Sequence, residues 1–204
     1  TDHFTLGFAR RATAYKRPEM LLSRPDHLRE ISRRVGPVQI VMGGKAHPHD
    51  HAGKMLMQKV MREMNGLSPD IRCAYMPNYD IDLARSLLAG VDVWVNLPVP
   101  PLEASGTSGM KAACNAVPSL STWDGWWMEG GEHGVTGWTV GDGREGGSPE
   151  DSDSLYHLLE HEIVPLYYKD REAYLRIMRN ALAKNGPRFA AARMVQDYLK
   201  VYAL

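Results

Sequence analysis

The segment from Glu103 to Lys111, Glu-Ala-Ser-Gly-Thr-Ser-Gly-Met-Lys, combines residue types suited to handling an anion. Two small-residue steps, Ser105-Gly106 and Ser108-Gly109, let main chain approach a ligand closely. Thr107 and Ser108 are natural helix caps. A helix starting there presents free N–H groups and a partial positive charge to a phosphate or another anion. The spacing puts Lys111 in the first turn of that helix. There the dipole disfavours the ammonium and favours the neutral amine that carbonyl condensation uses. The same residues also describe a tight turn with a solvent-facing lysine, and spacing alone leaves both readings open. A second group lies near the start. Arg10, Arg11, Lys16, Arg17, Arg24, Arg29, Arg33 and Arg34 face only Asp2, Glu19, Asp26 and Glu30 within the first 34 residues. That local excess suits an anionic ligand or a solvated helix face.

Other candidates carry bland readings. His47, His49 and His51 alternate beside Asp50, which would suit Zn²⁺ if the segment were a strand. With Pro48 inside it and a helix following, the run reads as an exposed loop and no metal is expected. Trp123, Trp126, Trp127 and Trp138 lie in a glycine-rich stretch. They suit a sugar-stacking platform, core packing or an interface. Phe189, Met194, Tyr198, Val201 and Tyr202 read as core.

The elements that must position these residues follow from periodicity. Apolar runs at Phe4–Ala9, Val38–Met42, Ile71–Tyr75 and Val91–Leu97 read as strands. Helical patterns lie between them at 28–34, 52–64 and 80–89, and another helix runs from the Glu103 segment to Asn115. Near-continuous apolar strands alternating with helices predict a parallel sheet covered on both faces. The expected fold class is α/β, a Rossmann-like doubly wound sheet that takes ligands at the carboxyl ends of its strands. Residues 141–153 read as a loop, and helices at about 154–168, 170–183 and 188–203 close the chain. Residues 1–150 are thus expected to form the ligand-binding unit, with 151–204 as helices packed on it in one structural domain.

Composition excludes several classes. The 204 residues suit one domain of ordinary to large size. With 24 basic and 24 acidic residues the formal charge is zero, so no nucleic acid or anionic membrane partner is implied. Two cysteines, Cys73 and Cys114, lack metal-ligand spacing and point to a reduced, cytoplasmic setting. No apolar run has the length of a membrane span. The chain opens Thr-Asp-His-Phe without Met, and reads as part of a longer protein.

Residues 103–111 resemble the pyridoxal-phosphate signature of the α-1,4-glucan phosphorylases of the glycogen and maltodextrin type, EASGTGNMK. They match at Glu103, Ala104, Ser105, Gly106, Thr107, Met110 and Lys111, and depart at Ser108 and Gly109. Arg10-Arg11-Ala-Thr-Ala-Tyr15-Lys16-Arg17 resembles the family's KRxxxYKR stretch, and Gly43-Gly44-Lys45-Ala46 its GGKA turn. Asn78-Tyr79 with Leu83-Ala84 is similar to NYxxxLA, and Thr122-Trp-Asp-Gly125 to TLDG. These motifs occur in the family's order.

The resemblance implies the second half of a GT-B glycosyltransferase fold, with pyridoxal 5′-phosphate as cofactor and no metal. Lys111 would carry the cofactor as an imine, and the cofactor's phosphate would do the acid/base work. Arg10 would hold that phosphate, Tyr79 would pack near the ring, and Gly106 and Thr107 would contribute donors. Arg11 and Lys16 would bind inorganic phosphate or the phosphate of glucose 1-phosphate. Glu103, Ser105 and Gly106 would meet glucose hydroxyls, while Lys45 receives no role. The implied reaction is reversible phosphorolysis of an α-1,4-glucan (glycogen, starch or maltodextrin) to glucose 1-phosphate. A nucleotide-sugar-dependent glucosyltransferase of the glycogen synthase kind would place an acidic residue where Lys111 stands. A non-catalytic carbohydrate-binding module is the third reading. The family builds its site between two domains, so this chain, with the N-terminal domain absent, is expected to be inactive alone. A homo-oligomer is possible in the family.

Overall fold

A computed structural model describes residues 3–202. Among them six strands form one sheet in the order β3-β2-β1-β4-β5-β6, every neighbouring pair parallel. The strands are β1 (Phe4–Ala9), β2 (Val38–Gly43), β3 (Arg72–Met76), β4 (Val93–Asn96), β5 (Ser119–Thr122) and β6 (Gly137–Val140). Helices α1 (Pro25–Arg34), α2 (His51–Gly66), α3 (Ile81–Gly90) and α4 (Thr107–Cys114) make crossovers, and α5 (Trp127–Gly130) is a single turn. Aspartates start two of them. Asp50 accepts from Gly53 N–H at 2.8 Å, and Asp80 from Leu83 N–H at 2.9 Å.

The sheet separates two apolar layers. Phe8, Val93 and Val95 belong to the larger cluster, with Phe4, Leu6, Ile40, Leu120 and Trp138. Their neighbours Ala9 and Trp94 point to the opposite side, against Leu87, Leu88, Val91, Ala112 and Val117. This is the two-residue period of strands buried on both faces. The order reverses between β1 and β4, so the crevice beyond their carboxyl ends is the topological switch point, where open α/β sheets take ligands. The chain leaves β1 into Arg10 and leaves β4 towards Glu103.

The first four strands lie where periodicity predicts them. β5 and β6 do not appear in that prediction. β5 reads Ser-Leu-Ser-Thr, yet every residue of it is buried. Hydroxyls replace apolar bulk there: Ser121 Oγ accepts from Asn96 Nδ2 at 3.1 Å, and Thr122 Oγ1 donates to the Pro98 carbonyl at 2.8 Å. β6 is hidden inside a glycine-rich segment.

The expected loop over 141–153 is too long. Helix α6 (Glu150–Leu158) begins inside it, with Glu150, Asp151 and Asp153 in a first turn that favours acidic residues. A π-helical turn, Leu159–Ile163, joins α6 to α7 (Val164–Lys169). α8 (Arg171–Asn180) is capped by Asp170, and a second π-helical turn and the short α9 (Gly186–Arg188) lead to α10 (Ala191–Val201). Leu155, Tyr156, Ile163, Val164 and Tyr174 join the larger apolar cluster.

α10 overturns the reading of the terminal apolar positions as core. Val201 is 78 % exposed, and Met194, Tyr198 and Tyr202 are also exposed. Only Phe189 packs inward, edge-on to Trp126 at 5.2 Å. An amphipathic period shows that a face is apolar, and says nothing about which surface covers it. Cys73 and Cys114 are free thiols. No helix among the described residues is long and apolar enough to cross a membrane.

Candidate functional site

The segment after β1 turns back over the sheet. Arg10 N–H donates to the Gly43 carbonyl and Ala12 N–H to the Lys45 carbonyl, both at 3.1 Å. The path is tight, because a Cβ on Gly44 would lie 2.3 Å from the Arg10 carbonyl oxygen. A short 3₁₀ turn, Ala14–Lys16, then ends at Arg17 in the left-handed region (φ 47°). Arg17 locks this turn to the far loop. Its Nε donates to the Leu97 carbonyl at 2.8 Å, one terminal nitrogen to the Pro98 carbonyl at 2.9 Å, and the other to Asp151 Oδ2 at 2.7 Å. Asp151 is buried. Removing the cation strands a buried carboxylate and two carbonyls, so Arg17→Met is expected to cost about 3 kcal/mol in urea unfolding. A change below about 0.5 kcal/mol, the range of ordinary surface substitutions, would contradict this role.

The segment after β4 is fixed from below. Asp124 accepts from Glu103 N–H at 2.9 Å and from Gly125 N–H at 2.8 Å. Trp126 N–H donates to the Ser105 carbonyl at 2.7 Å. Gly125, at φ 56°, sits where a Cβ would lie 2.6 Å from that same carbonyl oxygen.

The two segments meet at Glu103. Arg10 donates to Glu103 Oε2 at 3.2 Å, and Lys16 Nζ forms a close ion pair with the same oxygen. The side chains of Arg10, Lys16 and Glu103 are 7 %, 10 % and 7 % exposed. Two cations against one carboxylate leave one positive charge in an enclosed place. The Lys16 ammonium lies 4.6 Å from the Tyr15 ring centre. Arg10 also donates to Ser108 Oγ at 3.2 Å, and Trp94 Nε1 donates to the same hydroxyl at 3.2 Å. Arg10 Nε and Thr13 Oγ1 are buried without a hydrogen-bond partner among the described residues. Burial pushes the Arg10 guanidinium below its ordinary value, and Glu103 opposes that shift. Tyr79 is half-buried beside this group: burial raises its phenol, and nearby Arg10 pulls the other way.

Helix α4 departs from the expected geometry. Its N-cap is Gly106 in the left-handed region (φ 81°), and neither Thr107 nor Ser108 caps it. Ser108 is instead spent on Arg10. Lys111 is exposed in the last turn of this eight-residue helix, so the dipole argument for a first-turn lysine does not hold. Lys111 follows Ser108 by three residues, which places both on one face of α4. Gly109 packs against the indole of Trp126, where a Cβ would lie 2.4 Å from Nε1.

The structure therefore brings Arg10, Lys16 and Glu103 into contact, with Tyr79 beside Arg10 and Lys111 on the Ser108 face. Ser105 and Gly106 are partly buried in the turn before α4, while Thr107 and Arg11 are exposed. Lys45 is exposed as well. Trp126, Trp127 and Trp138 are core residues, which removes them from any sugar platform. His47, His49 and His51 are exposed in the loop before α2 and at its first residue. Among the described residues no group of three or more His, Cys, Asp or Glu is placed to hold a metal. Asp124 received no role from the sequence, Ser108 was read only as a helix cap, and Arg17 only as part of the basic excess. The signal was present for Asp124 and Arg17, which stand inside the quoted motifs.

The family model for carbohydrate phosphorylases matches residues 10–133, more than half of the chain. The chain belongs to the carbohydrate phosphorylase family. It is 44 % identical over 202 residues to a maltodextrin phosphorylase from Thermococcus litoralis, covering 95 % of this chain and 24 % of that protein. A glycogen phosphorylase from Aquifex aeolicus is 42 % identical, covering 99 % of this chain and 30 % of its own length. One from Mycobacterium tuberculosis is 40 % identical, at 97 % and 24 %. The chain thus spans about a quarter to a third of these relatives. Among solved structures, Anabaena HepE with bound UDP and glucose matches with a TM-score of 0.74 at 22 % identity, over 99 % of this chain and 48 % of that one. That likeness concerns the fold alone, the GT-B half expected from the sequence.

Proposed function

We propose that this phosphorylase-family chain supplies the cofactor and phosphate half of an α-1,4-glucan phosphorylase. The observation that carries the reading is the buried group of Arg10, Lys16 and Glu103 at the switch point, with Lys111 on the Ser108 face of α4. Its excess positive charge and the unpartnered Arg10 Nε suit a phosphoryl group. The relatives at 40–44 % identity are named glycogen and maltodextrin phosphorylases.

The residues also suit pyridoxal 5′-phosphate. Lys111 provides the amine, Arg10 with Ser108 a phosphate contact, and the partly buried Tyr79 an apolar face against Ala9, Trp94 and Ala112. When bound, the cofactor supplies a second phosphoryl group able to exchange a proton with the substrate phosphate. Lys16 and Arg11 hold and orient that substrate phosphate. Glu103 accepts from glucosyl hydroxyls, and the Gly106 turn lets main chain come close. In phosphorolysis a phosphate oxygen bonds to the terminal anomeric carbon, the glycosidic C–O bond breaks, and the leaving oxygen gains a proton. Cations at developing charge stabilise this step.

Phosphorolysis also needs the acceptor-glucan surface, which we assign to chain that the longer relatives possess. The isolated 204 residues are therefore inactive in this proposal. The test is a chimera in which this chain replaces the matching 202-residue segment of the Thermococcus enzyme. Release of glucose 1-phosphate from maltodextrin and phosphate is expected. A folded, cofactor-loaded chimera without turnover would overturn the assignment.

A further inference from the structure

Glu103 occupies the seat that an incoming anion would take. Its Oε2 atom accepts from both Arg10 and Lys16, and all three side chains are about nine-tenths buried. A substrate phosphoryl group on Lys16, beside a cofactor phosphoryl group on Arg10, meets a carboxylate already there, in a setting that screens the repulsion poorly. Nor can the Glu103 main chain retreat. Its N–H is held by Asp124, and the neighbouring Ser105 carbonyl by Trp126 N–H. The carboxylate leaves only by rotating about its own side-chain torsions.

A carboxylate that gives up two charged donors needs replacements, because a buried acceptor left unpaired is costly. Sugar hydroxyls provide O–H donors. Inorganic phosphate brings one or two at neutral pH, all on the very group that the carboxylate repels. We propose that Glu103 is the internal counter-anion of the phosphate seat, and that it makes the site favour a sugar phosphate over inorganic phosphate. The proposal rests on the reading of Lys16 as a ligand of the substrate phosphate and of Arg10 as a ligand of the cofactor's phosphate. A ligand carrying both a phosphoryl group and adjacent hydroxyls satisfies all three side chains at once. Inorganic phosphate satisfies the cations and strands the carboxylate. Sugar and phosphate are thereby coupled through one side chain, with no change of fold.

The test is calorimetric titration of the 204-residue chain, loaded with pyridoxal 5′-phosphate, with inorganic phosphate and, separately, with glucose 1-phosphate, at neutral pH and fixed ionic strength. The wild type is expected to prefer glucose 1-phosphate. In Glu103→Gln, affinity for inorganic phosphate is expected to rise about tenfold, a usual size for site coupling, while affinity for glucose 1-phosphate does not rise. Glu145→Gln removes the same charge from an exposed position and is expected to leave both affinities alone. Glu103→Asp keeps the charge but withdraws it, and is expected to move the preference in the same direction by less. It decides the matter if Glu103→Gln fails to fold. A folded Glu103 variant with unchanged preference, or with weaker phosphate binding, overturns the proposal. If neither ligand binds any variant, the phosphate reading of Arg10 and Lys16 falls, and the proposal with it.

Discussion

Pyridoxal 5′-phosphate added to the chain and reduced with borohydride is expected to leave one stoichiometric adduct, on Lys111, and none in Lys111→Ala. The chain has other exposed lysines, Lys45, Lys54 and Lys59 among them, and each offers an amine. What separates Lys111 is its company. Ser108 lies on the same helical face one turn earlier and shares a hydrogen bond with Arg10. The next residue, Ala112, is fully buried beside Trp94, with half-buried Tyr79 against the same layer. An aldehyde carrying a phosphate thus finds a cation, a hydroxyl and an apolar wall near one amine. At the other lysines the reaction is expected to be partial and scattered. Peptide mapping of the reduced protein checks this. A full equivalent of label that survives Lys111→Ala, or a label spread evenly over the lysines, would remove Lys111 from the cofactor site. Arg10→Ala should weaken the adduct without abolishing it, since it removes a phosphate contact and leaves the amine.

How far the sequence foretold this arrangement depends on the kind of signal involved. β1 to β4 are apolar runs buried on both faces, and such runs declare themselves. β5 satisfies its burial with the hydroxyls of Ser121 and Thr122, so its composition resembles a turn. The doubly wound topology follows from alternation, and with it the crevice that receives Arg10 and Glu103. The ion pairing of Arg10 and Lys16 with Glu103 was not legible, because Glu103 lies 93 and 87 positions from them and only the fold brings them together. The position of Lys111 went wrong for a local reason. Thr107 and Ser108 favour capping by residue type, but Gly106 takes the left-handed cap position and Arg10 claims the Ser108 hydroxyl. A tertiary bond overrode a local preference. α10 failed in another way: its period shows an apolar face, and within this chain that face meets solvent.

The glycine pair at the end of β2 provides the sharpest separation of two neighbouring positions. Gly44→Ala is expected to cost about 2 to 3 kcal/mol in stability, as overpacking does where surroundings resist, and to weaken phosphate binding with it. A Cβ there would lie 2.3 Å from the Arg10 carbonyl oxygen, and that oxygen belongs to main chain. Arg10 cannot yield freely, because its N–H is bonded to the Gly43 carbonyl and Ala12 N–H to the Lys45 carbonyl. The segment must therefore lift as a whole, carrying the guanidinium away from Glu103 and Ser108. Gly43→Ala meets a softer obstacle. Its Cβ would lie 3.4 Å from the Tyr79 ring, a half-buried side chain with room to turn. That variant is expected to stay within about 1 kcal/mol of wild type, the usual size of a Gly→Ala change at a position that accommodates it. Urea unfolding of both variants, with phosphate titration of each, makes the comparison. Equal losses at the two positions would show that the turn needs glycine for a reason other than the approach of Arg10. A stable Gly44→Ala with unchanged phosphate affinity would show that this contact does not position the site at all.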